Sequence, residues 1–259
     1  MVRIPNLRNH MRKPLLSIAL FLAFSTLLSA QTADEIIAKH LDATGGLAKI
    51  KAVKTRRLTG SFEVNGMQAG FVELESRPDK LRREIAIQNM TMIQAYDGKT
   101  AWQVIPFTGK KDPEAITGDE LRQFREEADM DGSLAEYKQK GSTVELVGRE
   151  QFNGADAFNI KLTLKTGEVR NFYLDASSFL QTGVSGKAKR DGKEFEVKTS
   201  LTDYKDVQGV MYPFTIESNA GEQGSAKVTL QKIEVNVPVE DSAFKMPPAA
   251  ATTTAPRKP

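Results

Sequence analysis

"AFNIKLTLKTGEVRNFYLD", Ala157 to Asp175, is the stretch that decides the fold. Phe158, Ile160, Leu162 and Leu164 alternate with Asn159, Lys161, Thr163 and Lys165. A period of two puts the first set on one face of an extended strand and the second set on the other, one apolar and one wet. Thr166-Gly167 turns the chain into a second strand ending at Asp175. What covers the apolar face, the chain's own side chains or something it carries, is the question the sequence poses.

The same grammar repeats outward. Asn65-Gly66, Asp97-Gly98, Asn153-Gly154, Asp191-Gly192 and Gln208-Gly209 are turn signals, and Asn-Gly and Asp-Gly suit hairpin turns that need positive φ. Strands are predicted near 55–64, 67–76, 80–87, 90–96, 100–106, 143–150, 155–165, 168–175, 180–190, 193–204, 210–218 and 225–237, about a dozen in one antiparallel meander. A helix precedes them. Thr32 and Glu35 form a capping-box pattern, Ile36, Ile37, His40 and Leu41 share a face, and Gly45-Gly46 ends the run. A short helical piece from Leu47 to about Val53 follows.

The strands are interrupted at Asp112 to Gly141. Thr117 and Glu120 offer a second capping box, Leu121, Phe124 and Ala128 make a narrow apolar stripe on a charged helix, and Ser133 to Tyr137 suggests a further helical turn. Sitting in the middle of the expected sheet order, this insertion should lie across the sheet. With so few large apolar anchors it is expected to pack weakly and to move.

A twisted sheet of this size curls. Its expected apolar face includes Leu58, Phe62, Val64, Leu74, Leu81, Ile85, Ile87, Trp102 and Val104 in the first half. Phe158, Ile160, Leu162, Leu164, Phe195 and Val197 belong to it in the second. The fold class is α+β, mainly β. A fully closed barrel would fill its own interior, whereas a half-closed one would leave an apolar hollow partly roofed by helices; the residues alone leave both open.

Arg3, Arg8, Arg12 and Lys13, an apolar run from Leu15 to Leu28 and Ser29-Ala30 have the order of a secretory signal. Residues 1–30 are read as a cleaved leader, with Met11 as an alternative start. The leader holds four basic residues and no acid, so without it the formal charge goes from +3 to −1. That balance gives no electrostatic case for nucleic acid or for an anionic membrane surface. Cysteine is absent, so an exported chain relies on its core rather than on disulfides, and it is not an acylated lipoprotein. Export and no later hydrophobic span indicate a soluble periplasmic or secreted protein, and the periplasm is the location expected. The folded domain is read as 31–247, and 248–259, Pro-, Ala- and Thr-rich, as a disordered tail.

Chemistry is sparse. His40 is the one histidine after the leader, and no GxSxG, HExxH, Walker or GxGxxG pattern occurs. An exported hydrolase is therefore the weakest function class; neither metal nor cofactor is expected. Glu126-Glu127 and Asp129 to Asp131 read as a solvated helix face and its exit loop. A calcium loop starting at Asp129 would need a glutamate where Lys140 stands. In "ESRPDKLRREI", Pro78 marks a strand end, which leaves Arg77 on the rim. There it is a surface arginine or, with its fixed fork of donors, one that pins a lid or meets a polar head.

The order of helix, Arg77-Pro78-Asp79-Lys80-Leu81-Arg82, Tyr96-Asp97-Gly98-Lys99-Thr100-Ala101-Trp102, insertion, Tyr204 to Ser218, and Phe244-Lys245-Met246-Pro247 resembles the LolA-type outer-membrane lipoprotein carriers. Among them it is most similar to the bacterial outer membrane lipoprotein-sorting proteins. The likeness spans about 32–247, with Ser76 where the carriers often have a basic residue. The resemblance implies an incomplete antiparallel β-barrel, a curled single sheet whose helices form a lid over the concave face. It implies a non-enzymatic periplasmic carrier that holds the acyl chains of a lipoprotein or lipid between an inner-membrane donor and an outer-membrane acceptor; separately, a monomer is expected. Arg77 would hold the lid, which Leu121 and Phe124 anchor. The alternative is a lipid-sensing regulatory module that docks on a membrane or envelope-stress protein.

Overall fold

The computed structural model describes residues 31–109, 112–190 and 193–248. The expected leader and the tail from 249 lie outside the described residues. Thr32 caps α1 (Ala33–Thr44) as the sequence predicts: its Oγ1 accepts from Glu35 N at 3.2 Å, and Glu35 Oε2 accepts from Thr32 N at 2.9 Å. The helix stops at Gly45, whose φ of 123° suits glycine. A Cβ there would also lie 2.2 Å from the Gly209 carbonyl oxygen, so the end of α1 is seated directly on a strand turn. α2 (Leu47–Ala52) follows.

The strands are β1 (Thr55–Val64), β2 (Met67–Ser76), β3 (Lys80–Ile87), β4 (Met90–Tyr96), β5 (Ala101–Val104) and β6 (Glu114–Ile116), then, after α3 (Gly118–Glu127), β7 (Thr143–Phe152), β8 (Ala155–Thr163) and β9 (Val169–Asp175). They continue as β10 (Gln181–Arg190), β11 (Lys193–Val207), β12 (Val210–Asn219) and β13 (Ser225–Val235). The quoted stretch is the β8–β9 hairpin, with Phe158 opposite Leu174 and Ile160 opposite Phe172. The thirteen strands form one antiparallel sheet in the order β6-β5-β4-β3-β2-β1-β13-β12-β11-β10-β9-β8-β7. It is a half-barrel, open between β6 and β7.

Four expectations are corrected here. β6 lies inside the segment read as a helical insertion; three residues carry too little pattern to be seen. The insertion also does not interrupt the middle of the sheet. Because β1 pairs with β13, the middle of the sequence becomes the two free edges, and the insertion spans the gap between them. Its second capping box does not form, since the Thr117 side chain makes no cap bond. Ser133 to Tyr137 makes successive turns rather than helix.

Register sorts the side chains. α1, α2 and the insertion pack on one face, here called inner, in three clusters. Ile36, Ile37, Leu134 and Tyr137 meet Phe158, Ile160, Leu162 and Leu174. Ile50 and Met130 meet Phe71, Ile85, Tyr212 and Leu230. Phe124, Ala128 and Leu121 meet Leu81, Tyr96 and Ile116. Leu41 touches the first two clusters, so α1 bridges the halves of the sheet.

Candidate functional site

Of the expected apolar lining, Leu81, Ile85, Phe158, Ile160 and Leu162 are buried on the inner face under the helices. Leu164 packs beside them, half-buried. Phe62, Val64, Phe195 and Val197 share the face but lie nearer its other end, towards the β1–β2, β3–β4 and β12–β13 turns, and are only half-buried. Register joins this uncovered half into one surface: Phe62 stands opposite Val228, Val228 opposite Ile216, Ile216 opposite Leu201, and Ile85 opposite Met92. All but Ile85 of these are half-buried. At the rim Met67, opposite Val64, is 52% exposed, and Met90, opposite Ile87, is 40% exposed.

Leu74 and Trp102 are corrections to the inner-face assignment. Leu74 stands opposite Arg57 and Arg82, one step out of phase with Glu73, and Trp102 stands opposite Ala95. Both point to the outer face. Val104 shares that phase, opposite Ile93. These outer apolar side chains are explained by the C-terminal segment, which runs over them. Trp102 Nε1 donates to the Phe244 carbonyl at 2.8 Å, Arg82 Nη1 to the Ala243 carbonyl at 2.9 Å and Lys80 Nζ to Asp241 at 2.6 Å. Phe244 is fully buried. The Trp102 and Phe244 motifs, 142 residues apart, are thus one structural unit. Two surface pockets, of about 390 and 380 Å³, are lined from this outer side, the first by Leu74, Pro238 and Val239 and the second by Asn171, Ser185 and Lys187.

Arg77 sits where the rim meets the insertion. Its Nε donates to the Val53 carbonyl at 2.7 Å, and Nη2 donates to the Ile50 carbonyl at 2.9 Å and to Asp131 Oδ1 at 2.6 Å. One guanidinium fork therefore ties the last turn of α2 to the insertion. Leu121 and Phe124 anchor α3 against Leu81, Tyr96, Ala101 and Ile116.

The acids of the insertion are not a solvated face. Glu127 accepts from Arg83 Nη2 at 3.0 Å, and Glu126 pairs with Arg170. Arg83 is on β3 and Arg170 on β9, so adjacent residues of one helix end reach strands from the two halves of the sheet. Asp129 pairs with Lys140, whose Nζ also donates to the Gly132 carbonyl at 2.8 Å. The lysine that replaces a calcium-loop glutamate thus supplies the positive charge itself. Lys51 reaches Glu136 at 2.6 Å, and Asp34 accepts from Lys138 and Tyr137. These pairings escaped sequence reading because the insertion's partners are scattered from Asp34 to Arg170; the density of acids in one insertion was the available signal.

Burial pushes the Glu126 carboxyl above the ordinary carboxylate range, against the pull of Arg170. Burial likewise raises Glu73, which accepts from Arg83 Nε at 2.7 Å. His40 is half-buried, and its Nδ1 donates to the Phe179 carbonyl at 3.0 Å. Burial lowers its pKa despite that bond. Among the described residues no group of three or more His, Asp or Glu is placed to hold a metal ion, and no helix is long and apolar enough to cross a membrane.

No family model matches the sequence, and neither does any curated protein. Solved structures match well. A DUF1329 family protein from Desulfovibrio piger superposes with a TM-score of 0.56 at 12% identity, over 81% of this chain and 97% of that one. A domain named for outer membrane lipoprotein sorting, from Vibrio parahaemolyticus, gives 0.55 at 13% identity, over 81% and 94%. A LolA superfamily protein from Nitrosomonas europaea gives 0.55 at 11%, over 83% and 98%. The fold is LolA-like. In this LolA-like half-barrel the packed helices cover one end of the inner face and leave the other end apolar and half-open.

Proposed function

We propose that this chain is a non-enzymatic carrier that shelters acyl chains of a lipid or lipoprotein on its inner face within the cell envelope. The observation that carries the reading is the uncovered, continuous apolar half of that face, from Phe62 and Val228 to Met90 and Met67. Large contiguous apolar surface on a monomer is uncommon and marks an interaction site. An acyl chain of about 14 carbons gains about 0.8 kcal/mol per buried methylene, on the order of 10 kcal/mol in all. That is enough to hold a lipid out of water, and it is reversible once a cover moves.

The helix end of the face is filled by packed side chains, so the chain enters from the loop end and deepens its seat as the insertion shifts. The insertion packs more firmly than its sequence suggests, with Phe124, Met130, Leu134 and Tyr137 buried against the sheet and helices; beside these anchors Arg77, Arg83 and Arg170 supply ionic contacts that a charged group can exchange. The leader-like order of residues 1–30 in the sequence and the LolA-like fold support a periplasmic location and exchange with membrane donor and acceptor proteins.

The test is saturable uptake of the neutral fluorescent probe N-phenyl-1-naphthylamine. Wild type binds it, and Phe62→Asp or Val197→Asp weakens binding at least tenfold while circular dichroism stays unchanged. A wild type that takes up no probe, or folded variants that bind as wild type does, overturns the reading.

A further inference from the structure

The inner face carries charge that shelter for an acyl chain does not require. Arg83 is two residues from Ile85, which stands opposite Met92 on the floor of the open half. Arg170 stands opposite Gly186, which stands opposite Val197 on its wall. Their side chains are 24% and 29% exposed. Burying guanidinium groups beside apolar surface is costly unless anions meet them. Here the anions come from two consecutive residues at the end of α3, Glu126 and Glu127. Arg83 keeps Nε on Glu73 and offers Nη2 to Glu127. Arg170 offers Nη2 to Glu126, with Glu168 further off at 3.8 Å.

Glu127 makes an ordinary hydrogen-bonded pair with Arg83, whereas the contact of Glu126 with Arg170 differs from a fixed structural pair. Glu126 Oε2 is buried and lies against Arg170, yet it completes no hydrogen bond of acceptable geometry. Burial also holds the Glu126 carboxyl above its usual range. A desolvated carboxylate regains its hydration if its helix end moves out to water, which offsets the loss of its partner.

We infer that Arg83 and Arg170 form a binding site for the anionic head of the cargo, a carboxylate or a phosphate, and that Glu126 and Glu127 occupy it as an internal stand-in when the carrier is empty. Guanidinium groups suit this role because they stay charged and bond both kinds of head in a fork. Entry of a lipid tail along Met92 and Val197 brings its head to the arginines. The head displaces the glutamates, and α3 lifts because its acidic end has lost its partners. Cargo binding and opening of the cover are then one event. This inference rests on the acyl-carrier reading and adds the head-group class to it.

The experiment is competition against bound N-phenyl-1-naphthylamine by palmitate, by hexadecanol and by inorganic phosphate, at one ionic strength. Palmitate is expected to displace the probe at least tenfold more effectively than hexadecanol. Arg83→Gln with Arg170→Gln brings the palmitate-to-hexadecanol ratio to within twofold of one; the ratio corrects for any change in tail binding that loosening the insertion causes. Glu126→Gln with Glu127→Gln keeps the helix length and strengthens palmitate threefold or more, because the competitor is gone. Phosphate alone, without a tail, displaces no probe but weakens palmitate competitively in wild type and not in the arginine variant; equal weakening in both would count against the arginine site.

Equal displacement by palmitate and hexadecanol in folded wild type overturns the head-group site while leaving the acyl reading intact. Absence of displacement by either overturns both. If the arginine pair fails to fold, the glutamate pair alone decides: unchanged palmitate binding refutes the stand-in.

Discussion

Replacing Arg77 by Met removes a guanidinium that bonds two α2 carbonyls and the Asp131 carboxylate while keeping an apolar stem of similar reach. The Arg77 and Asp131 side chains are 18% and 13% exposed, so the pair is neither on the surface nor fully buried. Breaking a buried pair from one side costs about 3–5 kcal/mol, because the remaining charge is stranded; residual exposure brings this to about 3 kcal/mol. At roughly tenfold per 1.4 kcal/mol, the open population of the insertion rises roughly 100-fold. Hydrogen exchange followed by mass spectrometry reads this directly: amides of 118–141 that exchange by local opening should speed up by that factor, and those of β1 and β13 should follow only the global stability. Asp131→Asn should reproduce much of the effect, and the double variant should be far from additive, because both changes remove one interaction. Exchange in 118–141 within threefold of wild type, or additive effects of the two changes, would refute the latch.

Three further outcomes follow from named contacts. His40 has a lowered pKa in the folded state, so the unfolded chain binds the extra proton. Urea midpoints should therefore be level above the ordinary value of 6.5 and fall as pH drops through it, and His40→Gln should flatten that slope. Gly183→Ala would place a Cβ 2.3 Å from the Phe152 ring and 2.5 Å from the Thr199 carbonyl oxygen; it should cost about 3 kcal/mol in chemical denaturation, and a loss below 1 kcal/mol would contradict the packing. Trp102→Phe strands the buried Phe244 carbonyl at about 1–3 kcal/mol, so trypsin should cut after Lys245 faster than in wild type.

The strands were legible because each carries its own turn chemistry and a period of two. Asn65-Gly66 and Asn153-Gly154 place positive-φ residues where the hairpins turn, and β8 announces its faces in three alternating pairs from Phe158 to Thr163. The α1 cap was legible for the same local reason. What failed was long-range. An apolar Leu74 or Trp102 looks like inner lining until the strap at Phe244 is known to cover the outer face. The place of the insertion depended on β1 meeting β13, which no local pattern encodes. Arg77 stood out through its neighbour Pro78, whereas Arg83 and Arg170 look like ordinary strand arginines until Glu127 and Glu126 are brought to them.

The central claim is that acyl chains occupy the open half of the inner face. Methyl-¹³C methionine NMR during titration with hexadecanol tests it, because methionines sample both faces. Met67, Met90 and Met92 line the open half, Met130 is one of the insertion's own buried anchors, and Met211 and Met246 face outward. The account predicts saturable shifts at Met90 and Met92, with Met67 and Met130 following and Met211 and Met246 still. Shifts confined to Met211 or Met246, or none at all, would contradict it.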